Sequence, residues 1–93
     1  MNITWVKRNE MIHEIFVLCE SMIFVVSPNG TLKSQKKLEF PACNFLVYES
    51  QKKENLKEFN GEKFKVFNML VTSFTKHILV FEEFQLIWAS RFL

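Results

Sequence analysis

Apolar residues fall in short runs, and their arrangement occurs twice: two apolar segments, a tight break, then a more polar segment. The first copy is Glu14–Phe40, EIFVLCESMIFVVSPNGTLKSQKKLEF, and the second is Asn68–Leu93, NMLVTSFTKHILVFEEFQLIWASRFL. Setting Ile15 on Met69 brings Phe16–Val17 onto Leu70–Val71, Val25–Val26 onto Leu79–Val80 and Leu32 onto Leu86, an ungapped offset of 54 residues. Few residues are identical; the shared property is pattern. Short strands repeating over such a period are how propeller blades look in sequence. The expected fold class is all-β: an antiparallel meander of roughly two β-propeller blades, an incomplete propeller.

The runs predict strands over Met11–Cys19 and Met22–Val26, joined at Glu20-Ser21. Ser27-Pro28-Asn29-Gly30 is the strongest local signal. Pro28 presets φ for the first corner of a turn, Asn29 tolerates the second, and Gly30 takes the left-handed position that follows. A third strand is expected from Thr31 to about Phe40, with Leu32, Leu38 and Phe40 in phase on one face and Lys33, Lys36 and Lys37 marking an outer strand. Pro41-Ala42 ends it, and Asn44–Glu49 is a short apolar strand. Ser50–Lys65 reads as a charged surface insertion with a short helical turn around Asn55–Phe59, broken at Asn60-Gly61. Strands then follow at Val66–Phe74, His77–Phe81 and Phe84–Phe92, turned at Thr75-Lys76 and Glu82-Glu83. The chain thus divides into a polar lead-in (1–10), three strands of one blade (11–40) and a second blade with a charged insertion at about 50–65 (41–93).

At 93 residues there is room for one small domain with a modest core. Hydrophobic residues make up 48% and there are eleven Phe, which argues against disorder. A net charge of +2 does not by itself imply nucleic acid or membrane as a partner. All ten acids are Glu, which removes Asp-rich calcium loops, Asp-based magnesium sites and a Ser-His-Asp triad. The start, MNITWVKRNEMIHE, carries charges where a secretory signal needs an apolar run. The run Ile15–Val26, interrupted by Glu20 and Ser21, is too short to span a bilayer. Cys19 and Cys43, 24 positions apart, allow a single disulfide, but two free thiols in a reducing cytosol is the preferred reading. The sequons at Asn2 and Asn29 are read as chance.

No reactive constellation assembles along the chain. His13, His77, Cys19 and Cys43 lack metal-ligand spacing. Neither cysteine sits in an evidently electropositive setting, and Glu82-Glu83 reads as a polar turn pointing into water. There is no phosphate-cradling glycine loop. The expectation is no catalytic residue, no cofactor or metal site, and no small-molecule substrate. Trp88, in LIWAS, is read as a structural residue packing against a neighbouring blade, like Pro28, Asn29 and Gly30 at the turn. Trp5 finds no place in the pattern. The Phe series (Phe16, Phe24, Phe40, Phe45, Phe74, Phe81, Phe84, Phe92) reads as mostly core.

Ile15-Phe16-Val17-Leu18, Glu20, Phe24, Asn29-Gly30 and Lys36-Lys37-Leu38, continued by Glu39-Phe40, Pro41, Cys43, Phe45-Leu46 and Tyr48, form an ordered combination, resumed by His77-Ile78, Leu86 and Trp88-Ala89. It resembles part of the N-terminal β-propeller of the parathyroid hormone-responsive B1 family. Members of that family are subunits of the Bardet-Biedl syndrome complex, the BBSome. Asn44 between Cys43 and Phe45, a Pro displaced by one, and a longer, more basic 50–65 segment depart from its pattern. The resemblance implies a non-catalytic scaffold segment in ciliary membrane-protein trafficking. Such a segment would be cytoplasmic, associated with cilium or basal body, and would touch membrane only through the complex. Its partners would be other BBSome-like subunits or further propeller blades. Two alternatives stand beside this. One is a small free-standing β domain binding single-stranded nucleic acid through Lys33, Lys36, Lys37 and Phe40; the other is a truncated product without independent function.

Overall fold

The computed structural model describes residues 1–8, 12–50, 56–59 and 62–91. Among them every regular element is a strand. Four strands, β1 (Asn2–Lys7), β2 (His13–Cys19), β3 (Met22–Val26) and β4 (Leu32–Lys37), make one antiparallel meander, here sheet A. Then come β5 (Ala42–Glu49), β6 (Leu56–Phe59), β7 (Glu62–Lys65), β8 (Phe67–Ser73), β9 (His77–Glu82) and β10 (Gln85–Arg91). Strands β5, β8, β9 and β10 form a second meander, sheet B, and β6–β7 is a two-stranded hairpin set between its first two strands. The architecture is all-β: two open four-stranded sheets, an incomplete propeller-like meander.

Period-two alternation drives the core. Phe16, Leu18, Ile23 and Val25 on one face of sheet A are buried, as are Met69, Val71, Leu79 and Phe81 on the facing side of sheet B. Together with Val6, Leu38 and Ala42 they form a single cluster, with Phe45, Val47, Phe67 and Phe84 packed around it. Each such side chain removed from water contributes about 1.5–3 kcal/mol.

The repeat read from the sequence is physical. Phe16 pairs with Val25, which pairs with Ser34; Leu70 pairs with Val80, which pairs with Trp88. The offset is 54 on the first and third strands of the repeat. It becomes 55 on β9, because Glu20-Ser21 is a two-residue connection while 74–76 is a three-residue one. The offset returns to 54 because five residues separate the paired Val26 and Leu32 but only four separate Phe81 and Leu86, and a β-bulge falls at the same place in both copies. Lys33 is passed over in the β3–β4 register, and Ile87, 54 residues on, in that of β9–β10.

Several expectations change. Residues 2–7, read as part of a polar lead-in, are a strand pairing with β2 along its whole length, from Asn2↔Leu18 to Lys7↔His13. Sheet A therefore has four strands, not three. The helical turn expected around Asn55–Phe59 is instead β6, pairing Phe59↔Glu62 with two residues between. An Asn-Gly step between paired strands is hairpin chemistry rather than helix-breaking chemistry; Asn60 and Gly61 themselves, like Asn55, lie outside the described residues. Leu32 and Leu38 do not share a face in one strand. The bulge at Lys33 shifts the phase, Leu32 is 52% exposed, and Leu38 is buried beyond the end of β4. Of the Phe series only Phe16 and Phe81 are fully buried, and Phe74 is exposed in the β8–β9 turn; Phe92 lies outside the described residues.

The Ser27 carbonyl accepts the Gly30 N–H at 2.9 Å, Ser27 N–H donates to the Thr31 carbonyl at 2.8 Å, and Gly30 has φ 91°. Asn29 Oδ1 accepts the Thr31 N–H at 3.1 Å and contacts Ser27 Oγ. The segment joining the sheets, 38–41, is held by backbone bonds on both sides. Leu38 N–H donates to Ser21 O at 2.7 Å, Ala42 N–H to Glu20 O at 3.0 Å, and Phe74 N–H to Pro41 O at 3.2 Å. These bonds join the hairpin turns of the two sheets through the crossover.

Candidate interaction surfaces

At the seam between the sheets Arg8 acts as a two-sided clamp. Its Nε lies 3.0 Å from Glu14 Oε1 on β2, and its Nη1 lies 2.6 Å from Glu83 Oε1 at the β9–β10 turn. The second contact is an ion pair without hydrogen-bond alignment. The guanidinium also sits 5.5 Å from the centre of the Phe67 ring. Lys33 Nζ completes the cluster at 3.0 Å from Glu14 Oε2. Glu83 is held by β8, accepting the Phe67 N–H at 3.2 Å on its carboxylate while its own N–H donates to Phe67 O at 2.8 Å. Its backbone is left-handed, with φ 52°. The expectation that Glu82-Glu83 points into water is corrected for both: Glu83 meets the Arg8 cation, and Glu82 lies on β9, half-buried with its Oε2 out of solvent. Arg8 carried no local signal, because its partners lie on two different sheets.

Toward the outer strands the sheets diverge and leave a groove of about 330 Å³. Leu38, Phe40, His77, Leu79, Phe81 and Leu86 line it, with Lys36 and Lys37 beside them. Phe40 stacks on His77 with ring centres 3.8 Å apart and planes 7° apart. His77 Nδ1 is 2.8 Å from Thr75 Oγ1, so its ring is fixed on two sides.

The outward face of sheet A is largely apolar, and that of sheet B carries one apolar row. On sheet A two rows cross all four strands: Ile3–Val17–Phe24–Gln35 and Trp5–Ile15–Val26–Leu32. Ile3, Trp5 and Leu32 are more than half exposed, and the strands between them only partly covered. On sheet B the corresponding row is Leu46–Leu70–Val80–Trp88, flanked by polar rows such as Tyr48–Asn68–Glu82–Gln85. Trp88 is 51% exposed at its end and Leu46 58% exposed at the other. Soluble monomers rarely leave apolar surface contiguous on this scale without using it.

The residues considered for chemistry stay apart. His13 is on β2 and His77 on β9; Cys19 ends β2 and Cys43 lies on β5. Both thiols are free and exposed, and Cys43 Sγ rests 3.4 Å from the Thr72 carbonyl. Among the described residues no group of three or more His, Cys, Asp and Glu could hold a metal ion. No helix among them is long and apolar enough to cross a membrane. Of the set named for single-stranded nucleic acid, Lys33 pairs with Glu14 and Phe40 stacks on His77, while Lys36 and Lys37 border the groove.

Two four-stranded meanders in tandem, each beginning at its innermost strand and joined crossover-fashion, place the protein among the propeller-like β scaffolds. The chain matches the profile of the PTHB1 N-terminal family over residues 1–92 and belongs to that family. No curated protein matches it.

Proposed function

We propose that this chain is a non-catalytic scaffold segment of a BBSome-like subunit, working through protein–protein contacts in ciliary membrane-protein trafficking. In this reading it is cytoplasmic, gathers at the cilium or basal body, and meets membrane only through its complex. The observation that carries the proposal is the pair of open apolar sheet faces, centred on Trp5 and Val17 on sheet A and on Leu70 and Trp88 on sheet B. Surfaces of that kind are contact surfaces, and membership of the PTHB1 N-terminal family supports a protein-complex setting. The partners proposed are other BBSome-like subunits or further propeller blades.

The test is affinity purification of the tagged chain from ciliated cells, followed by mass spectrometry. Trafficking-complex subunits are expected with the wild-type chain, and depleted with Trp5→Glu and Trp88→Glu variants that still fold. Recovery of no such subunit at any ionic strength would overturn the proposal.

A further inference from the structure

We propose that the groove between the outer strands is a docking site for a short extended peptide of a protein partner, one that carries aliphatic side chains followed by carboxylates. The site is separate from the open sheet faces on which the scaffold reading rests.

The groove exists because the sheets touch through their first strands, β1 and β2 against β5, and part toward β4 and β10. Leu86 and Ala89 of β10 pair with buried Phe81 and Leu79, and so face sheet A. Leu86 is nevertheless 49% exposed, so the space in front of it is unfilled. On the opposite wall Lys36 holds the inward position, paired with buried Ile23, where an apolar residue would have closed the gap. The volume of about 330 Å³ lies at the small end of the range for ligand sites. Alternate side chains of an extended chain project to one face. Aliphatic residues two apart in such a chain therefore reach Leu38, Leu79, Leu86 and Ala89 together.

Charge selects the partner. Lys36 and Lys37 stand at the crossover end, beside the Phe40–His77 stack, and among the described residues neither forms an ion pair. Arg91 reaches the same end from sheet B, paired with His77 and on the same face as Ala89. Glu39 is an acid on this rim, set against those three cations. At the other end Ser34 and Phe84 border the Arg8 cluster, where Glu14 and Glu83 lie. Carboxylates are thus favoured at the crossover end and disfavoured at the other, which sets the direction of the bound chain. Both walls also end in edge strands, β4 and β10, whose outer backbone groups suit an extended main chain. That complement distinguishes a peptide from a fatty acid, which offers only a tail and a carboxylate.

The experiment is fluorescence anisotropy of the purified chain with a fluorescein-labelled peptide pool. Each peptide has two aliphatic residues (leucine, isoleucine or methionine) set two apart and followed by two acids (aspartate or glutamate). A control pool carries the matching amides. The acidic pool is expected to bind saturably below about 1 mM, and at least about tenfold more tightly than the amide pool. The double variant Lys36→Gln, Lys37→Gln should erase that preference while keeping weak binding of both pools. Ala89→Trp, which fills the groove without touching its charges, should abolish binding of both. Far-ultraviolet circular dichroism confirms folding, and Leu86→Glu serves if Ala89→Trp does not fold. Absence of saturable binding to the acidic pool overturns the proposal, as does equal affinity for the two pools. Unchanged binding by the groove-filling variant overturns it by placing the contact elsewhere, and displacement of the peptide by an equal concentration of decanoate overturns it in favour of an acyl-carboxylate site. The assay contains no trafficking subunit, so its failure leaves the scaffold reading standing, and failure to capture such subunits leaves the groove assignment standing.

Discussion

Replacing Arg8 by Met keeps the packing of the side-chain stem and removes only the charge and its donors. In the wild type the Arg8 and Glu14 side chains are 13% and 11% exposed, and that of Glu83 is 28% exposed. An ion pair fully in water is worth about 0–1 kcal/mol, whereas stranding one partner of a buried pair costs about 3–5 kcal/mol. Arg8 lies between these limits but nearer the second. Glu14 would keep Lys33 at 3.0 Å, and Glu83 would keep the Phe67 N–H at 3.2 Å, so neither carboxylate is left wholly alone. Loss of the cation over the Phe67 ring adds about 0.5–1 kcal/mol. The expected destabilisation is about 2–4 kcal/mol, a large share of the 5–15 kcal/mol typical of a folded domain.

Urea unfolding measures this through the midpoint at constant slope. Trp5 on sheet A and Trp88 on sheet B allow each sheet to be followed separately in single-Trp backgrounds. Because Arg8 bridges the sheets, the two transitions should separate in Arg8→Met while coinciding in its parent. Lys33→Met should cost under about 1 kcal/mol, since Lys33 is 43% exposed and reaches only Glu14. Adding Glu83→Gln to Arg8→Met should recover about 1 kcal/mol, because the amide oxygen still accepts the Phe67 N–H without an unpaired charge. An Arg8→Met cost no larger than that of Lys33→Met would refute the reasoning and show the clamp to be solvated.

Phe16→Ala should cost about 3–5 kcal/mol in the same assay, since Phe16 is 1% exposed at the centre of the core. Gly30→Ala should cost about 1–2 kcal/mol from backbone strain alone: φ is 91°, and an added Cβ meets nothing within 4 Å. Glu20→Gly relieves a φ of 55° and should be near neutral or slightly stabilising by thermal denaturation, whereas Glu83→Gly, at φ 52°, should destabilise because it also removes the Arg8 partner.

Most strands were legible in the sequence because their information is local. The segments Glu14–Leu18 and Met69–Ser73 are short apolar runs bounded by turn signals, apolar on both faces, which marks strands without saying which face is inward. Ser27–Gly30 was legible for the same reason, its bonds lying within five residues. Strand β1 was not. Asn2, Thr4 and Lys7 dilute its apolar positions, and Asn2–Lys7 becomes a strand by completing the unpaired side of β2. A signal existed nonetheless: Ile3 and Trp5 alternate with Thr4, which suits one face of a sheet. The Asn60-Gly61 step was likewise informative, for a hairpin. The groove beside Phe40 and His77 was illegible, because its walls come from residues 37 positions apart.

The sequence by itself determined where most of the strands run and that their pattern repeats at about 54 residues. These are properties of neighbouring residues, governed by alternation, turn geometry and composition. Only the tertiary structure decided which faces are covered. Phe16 and Val17 are equally apolar neighbours, yet one is 1% exposed in the core and the other lies on an open face. Likewise Glu83 has a cation to meet only because Arg8 arrives from the other sheet. Burial and ion pairing depend on which distant strand folds against a residue, and that is settled by the packing of whole sheets rather than by any local pattern.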